Sequence, residues 1–268
     1  MKSLIPIRCP IFGIGGALFF ISLIISPSVF PWGEETVEKI QTEVTRRLPP
    51  ELDGFLRENQ EYFDSGVGAT GGTRRRYTGF SSFDTTGFAA SALARQLEIL
   101  RSLFPADRNP YLCYRIGILA GLVIDCNFPL ATAPADQAPV KRLYSRDIDN
   151  SSDSLTYRPR APRLISNPVP FFSRMIERSH GWLQPVLSQY RAGRGYDTVS
   201  RLAAAESFQT AIDSLLDVLY SIVSDGVGDL ISAQDRYNYY RDACRFYLDR
   251  GLKGKARSAY RKLVATIR

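Results

Sequence analysis

The chain has 268 residues, 44% of them hydrophobic, enough for a sizeable core and incompatible with a disordered or fibrous polymer. Its formal net charge is +7, and the surplus is local: over 236–268, ten Lys and Arg stand against two Asp, leaving the remainder near neutral. A single His and four Cys without paired spacing exclude a disulfide framework and a His- or Cys-rich metal site.

In chain order, Lys2 and Arg8 precede an uncharged stretch with a strongly apolar centre over 11–25, followed by Ser26-Pro27-Ser28. A basic start, an apolar centre and small residues form the pattern of a signal peptide. The uncharged run, 9–33, is also long enough to be an uncleaved anchor. Glu34, Glu35 and Glu38 after it agree with an N-in, C-out orientation, so the rest of the chain is expected outside the cytoplasm: periplasmic, secreted or anchored. We therefore divide the chain into a signal peptide or anchor at 1–31, a helical domain at 32–226 and a C-terminal helical hairpin at 229–268.

Helical patterns dominate after Trp32. A helix is predicted over 34–48, stopped by Pro49-Pro50, and another over 51–63, opened by Pro50. The Gly-, Ser-, Thr- and Arg-rich stretch at 64–86 predicts a loop. Over 87–104, Ala90, Leu93, Leu97 and Leu100 share one helix face. Residues 111–126 are apolar nearly all round and predict the central buried helix. Cys113 and Cys126 stand about 20 Å apart along it, too far for a disulfide. A long irregular region, rich in Pro, Asp and Ser, is expected over 127–168. A helix over 171–191 should kink at Pro185. Residues 198–224 form a long amphipathic helix with Ile212, Leu215, Leu219 and Ile222 inward, and two helices over 233–249 and 253–267 turn around Gly251. No strand is convincing, and the expected class is all-α.

One run is diagnostic. Gly121-Leu122-Val123-Ile124-Asp125-Cys126-Asn127-Phe128-Pro129-Leu130-Ala131 resembles the His-x-x-x-Asp-x-x-x-Pro-Leu-His motif of zinc-dependent phospholipases C and of the single-strand nucleases that share their fold. Trp32-Gly33, followed by Thr36-Val37 and Ile40, is similar to that family's mature start. Leu48-Pro49-Pro50-Glu51-Leu52 continues the likeness, and 141–149 is similar to a segment carrying a His and a Glu. The resemblance covers roughly 32–224. It implies a multi-helix bundle and, in the family, three clustered zinc ions that activate water and stabilise a pentacoordinate phosphate.

Position by position, the ligands that the resemblance implies are replaced. Its two motif His are Gly121 and Ala131, its early His is Val37, and Lys141 and Ser145 stand where a late pair is expected. Trp32 and Asp125 alone remain as candidate metal ligands. Phe30-Pro31 before Trp32 disfavour a cut that would free its amine. The expectation is that the ancestral zinc site is lost and no cofactor is held. Asp125 then has two readings: a leftover metal ligand, or a buried carboxylate held by Arg, Tyr or backbone donors. His180, in Ser179-His180-Gly181-Trp182, reads as a helix-surface residue with a structural role.

The terminal hairpin carries Tyr240, Cys244, Tyr247, Gly251, Ala256, Tyr260 and Leu263 at spacings resembling one tetratricopeptide unit, but one such unit does not fold alone, so an ordinary hairpin docked on the body is the favoured reading. Its charge makes Arg257, Arg261 and Lys262 candidate anion-binding residues, with anionic lipid or an acidic envelope polymer as partner. Nucleic acid is not favoured outside the cytoplasm; a protein partner stays open. The leading reading is an exported, non-catalytic relative of these hydrolases that binds or scaffolds. The alternative is a phosphodiester hydrolase whose altered site uses Asp125, with Asp147 or Asp149, and a hard cation.

Overall fold

A computed structural model describes residues 31–69, 71–79, 83, 85–104, 106–224 and 231–267. The export segment therefore lies, but for its last residue, outside the described residues. Among those described the chain is all-helical, with no strand. None of their helices is long and apolar enough to cross a membrane.

The first helix, α1 (Glu34–Thr45), buries Val37, Ile40 and Val44 at helical spacing. Its N-cap is Gly33, which has no side chain to offer. A distant residue does the capping: the Asp149 carboxylate accepts from the Thr36 backbone N–H at 3.1 Å and from its hydroxyl at 2.6 Å. A Cβ on Gly33 would lie 1.7 Å from Asp149 Oδ2, so glycine admits the cap. Helix α2 (Pro50–Glu58) opens on Pro50, and α3 (Gln60–Val67) follows after Asn59.

The stretch 64–86 is not simply a loop. Helix α3 runs to Val67, and α4 (Gly71–Thr78) forms in the Gly- and Arg-rich segment. Only Arg74 and Thr78 of α4 are buried, so no apolar stripe marks it in the sequence. A tertiary contact of Arg74 holds it instead.

Helix α5 (Phe88–Leu103) buries Ala90, Leu93, Leu97 and Leu100, as the pattern predicts. Helix α6 (Pro110–Cys126) is the axis of the molecule, with every residue from Tyr111 to Cys126 buried. Asn109 caps it, its Oδ1 accepting from Leu112 N at 3.0 Å. Helix α3 lies unusually close against α6. A Cβ on Gly66 would meet Tyr114 O at 2.2 Å, and one on Gly117 would meet Phe63 O at 2.2 Å. Only glycines permit that approach.

The region 127–168 holds more order than expected. Helix α7 (Ala138–Asp149) interrupts it, with Tyr144 and Ile148 as its buried residues. Turns and two short 3-10 helices, Ala135–Gln137 and Ser152–Ser154, flank α7, and the extended stretch after 154 is pinned to the long helix α10 (Thr198–Val223). Arg160 pairs with Asp217 at 2.6 Å and Asp213 at 3.2 Å, and Ile165 N donates to Ser221 Oγ at 2.9 Å. The predicted helix over 171–191 is two: α8 (Pro168–Gly181) and α9 (Leu183–Arg191). The break falls at Trp182 rather than Pro185. Pro185 sits in the first turn of α9, where a backbone N–H has no intrahelical acceptor to lose.

Helices α11 (Ala233–Asp249) and α12 (Lys253–Ile267) form the expected hairpin, turning at Gly251 with φ 70°. An aromatic cluster docks α11 on the first half of α6. Tyr111 lies 4.9 Å from Tyr239 and 5.1 Å from Phe246, and Tyr114 4.9 Å from Phe246, centroid to centroid. The Tyr247 hydroxyl donates to Asn109 Oδ1 at 2.9 Å.

Candidate functional site

The Asp-x-x-x-Pro-Leu element occupies the last turn of α6 and the bend after it. Trp32 is fully buried there. Its indole N–H donates to Ile124 O at 2.9 Å, and its ring stands edge-on to Phe128 at 5.3 Å. Trp32 thus fastens the start of the helical body to the end of the central helix.

Asp125 is 3% exposed and forms an ion pair with Arg74 of α4. Nη2 of the same guanidinium donates to Val67 O at 2.9 Å, capping the end of α3. Of the two readings of Asp125, the arginine-held carboxylate is the one observed. Burial pushes its pKa up to about 6, against the opposing pull of Arg74 and, more weakly, Lys141. Lys141 of α7 sits 5.8 Å above the Phe128 ring. Burial lowers its pKa, and the Asp125 charge opposes that.

Zinc does not fit these residues. Asp125 is faced by two cationic side chains rather than by further donors. Gly121, where the family carries a His, has no room for one: a Cβ there would lie 2.7 Å from Val67 O and 2.7 Å from Arg74 Nη2. Val37 and Ala131 are buried in the hydrophobic core. Asp149 is used in capping α1, and Asp147 accepts from the Tyr190 hydroxyl at 2.7 Å. Among the described residues no three His, Cys, Asp or Glu side chains converge as a metal would require. His180 lies exposed on α8, its Nδ1 2.9 Å from Thr132 Oγ1.

Of the three candidate anion-binding residues, Arg257 and Arg261 are exposed on α12. Lys262 is exposed as well, with 43% of its side chain accessible, but its ammonium pairs with Asp107, which is 5% exposed, and lies 5.7 Å from the Tyr240 ring. Its charge holds the hairpin to the body.

Arg74 escaped the sequence reading because it sits among exposed arginines in a glycine-rich run. The demand of a buried Asp125 for a cationic partner was the available clue. Neither family models, nor curated proteins, nor solved structures give a match to this chain.

Proposed function

We propose that the chain is an exported, non-catalytic relative of the zinc-dependent phospholipases C and single-strand nucleases, acting by binding or scaffolding at the cell envelope. One observation carries this reading: the Arg74 guanidinium stands on Asp125 where the family's chemistry needs a cation bound by several donors. A guanidinium on that carboxylate supplies fixed positive charge but no exchangeable position for water, so it cannot generate a metal-bound nucleophile. The exposed Arg257 and Arg261 support a second element of the proposal, that α12 faces an anionic lipid or acidic polymer surface.

The test is enzymatic and topological. The purified protein, assayed on phosphatidylcholine and on single-stranded DNA with zinc, magnesium or calcium added in turn, is expected to release nothing above buffer. A tag at the C-terminus should be cleaved by external protease in intact or outer-membrane-permeabilised cells. Metal-dependent turnover that disappears in Asp125→Asn would overturn the non-catalytic reading, and a protease-shielded tag would overturn the location.

A further inference from the structure

A second place on the molecule concentrates unsatisfied polar atoms. Helices α4 and α5 on one side and α11 on the other leave an open groove of about 460 Å³, lined by neither Asp125 nor Arg74. That volume suits a small organic ligand. Arg115 of α6 and Tyr239 of α11 line it, although both are almost fully buried, 5% and 2% exposed.

The Arg115 guanidinium is held by neutral groups alone. Nη1 donates to the Tyr111 hydroxyl at 3.2 Å and Nη2 donates to Gln96 Oε1, while the Tyr77 ring lies 4.2 Å beneath the guanidinium. The Gln96 amide is oriented for this by its own donation to Tyr77 O at 2.7 Å. Among the described residues no carboxylate pairs with Arg115, and its Nε has no hydrogen-bond partner. The buried Tyr239 hydroxyl has none either. Nature rarely leaves such groups unmatched, because a buried charge without a counter-charge is costly.

The charge around the groove has the same sign. Arg76, Arg95, Arg115 and Arg241 line it against Asp235 and Asp242, leaving two positive charges in excess. Arg95 is paired with Asp235 and Arg241 with Asp242, so the excess belongs to Arg76 at the rim and Arg115 within. Tyr77, Phe88 and Ile99 supply an aromatic and apolar wall. Two excess charges match the dianion of a phosphate monoester near neutral pH, and a guanidinium fork suits its oxygens.

We infer that this groove binds a small phosphate monoester, its phosphate held by the exposed Arg76 over the buried positive charge of Arg115, with Arg115 Nε and the Tyr239 hydroxyl reached only when those side chains turn toward the groove, and its organic part lying along Tyr77, Phe88 and Ile99. The groove involves none of the residues around Asp125, so this binding does not depend on the fate of the metal site.

Phenyl phosphate and inorganic phosphate are the probes, titrated by calorimetry against the full-length protein, with phosphatidic acid vesicles as competitor. Phenyl phosphate is expected to bind more tightly than inorganic phosphate and to weaken as salt rises. Arg115→Lys, which keeps the charge and loses the fork, should weaken it at least tenfold. Should that buried variant fail to fold, the exposed Arg76→Gln and the subtler Tyr239→Phe each retain a readable loss of several-fold. Competition by the vesicles would make the monoester a lipid headgroup, and its absence a soluble one; both fit the inference. No binding of either probe at millimolar concentration, or binding unchanged in Arg76→Gln and Tyr239→Phe, would overturn it.

Discussion

Arg74 and Asp125 lie 51 residues apart in sequence and form one buried ion pair, which joins a short polar helix to the last turn of the central apolar one. The pair does three jobs at once. It neutralises a carboxylate at a helix C-terminus, where the macrodipole is unfavourable to it. It caps α3 through Val67 O. It also fills the space that a side chain on Gly121 would need. The ion pair and the bare Cα of Gly121 are thus one structural fact.

Removing one partner should be far worse than removing both. Arg74→Met leaves the Asp125 carboxylate buried without a counter-charge and should cost about 3–5 kcal/mol. In the double variant Arg74→Met/Asp125→Leu the pair is exchanged for apolar groups, and most of that loss should return. Urea unfolding of the two single variants and the double one measures this coupling. Additive losses would mean that the pair does not act as a unit.

The raised Asp125 pKa sets a pH dependence of unusual sign. Its folded pKa, about 6, lies above the ordinary carboxylate value of 3.8. The folded protein therefore holds this proton more tightly than the unfolded chain. The stabilising contribution of Asp125 is full below about pH 4 and is lost as pH rises through about 6. Most paired surface carboxylates do the reverse. Carbon-13 NMR titration of the Asp side chains should find one midpoint near 6 that vanishes in Asp125→Asn.

Gly121 should not accept even a methyl group. Its would-be Cβ contacts are the Val67 carbonyl and the Arg74 guanidinium, one of them rigid backbone. Gly121→Ala should destabilise by about 1–3 kcal/mol through overpacking. Gly121→His, which places an imidazole where the resembled motif has one, should lose more stability and gain no zinc. Thermal unfolding with and without added zinc checks both; a rise in Tm of Gly121→His with zinc would contradict it.

The large apolar helices were legible because burial writes itself into periodicity: α5, α6 and α10 carry their inward leucines and isoleucines at helical spacing. The helices missed, α4 and α7, bury only two residues each: α7 does carry Tyr144 and Ile148 at helical spacing, a pattern too short to stand out in a Pro- and Asp-rich region, whereas α4 is held by the contact of Arg74 with Asp125 from far along the chain. No local pattern announces such contacts. The same holds for the sites. Asp125 stood out as a carboxylate in an apolar run, whereas Arg74 and Arg115 acquire their meaning only when α4, α5 and α11 surround the ends of α6. Lys262 looked like one more member of a basic face, and Asp107, 155 residues earlier, gives it a different role.

The basic face of α12 should therefore be tested without Lys262. Arg257 and Arg261 lie one helical turn apart, four residues, so they project from the same face, and both are exposed. Near an anionic membrane each basic residue contributes on the order of 1 kcal/mol, decaying within a Debye length. Two residues then correspond to roughly 2 kcal/mol, or about a thirtyfold change in affinity at low salt. Arg257→Gln/Arg261→Gln should weaken sedimentation with phosphatidylglycerol vesicles by up to that factor and leave the Tm unchanged, since neither side chain packs on the body. Lys262→Gln should behave oppositely. It leaves the buried Asp107 without its cation, so the hairpin should lose protection from hydrogen exchange while vesicle binding changes little. Equal effects of the two substitutions on vesicle binding would show that Lys262 also faces the membrane. No vesicle binding at low salt in the unaltered protein would mean that Arg257 and Arg261 form only a solvated surface.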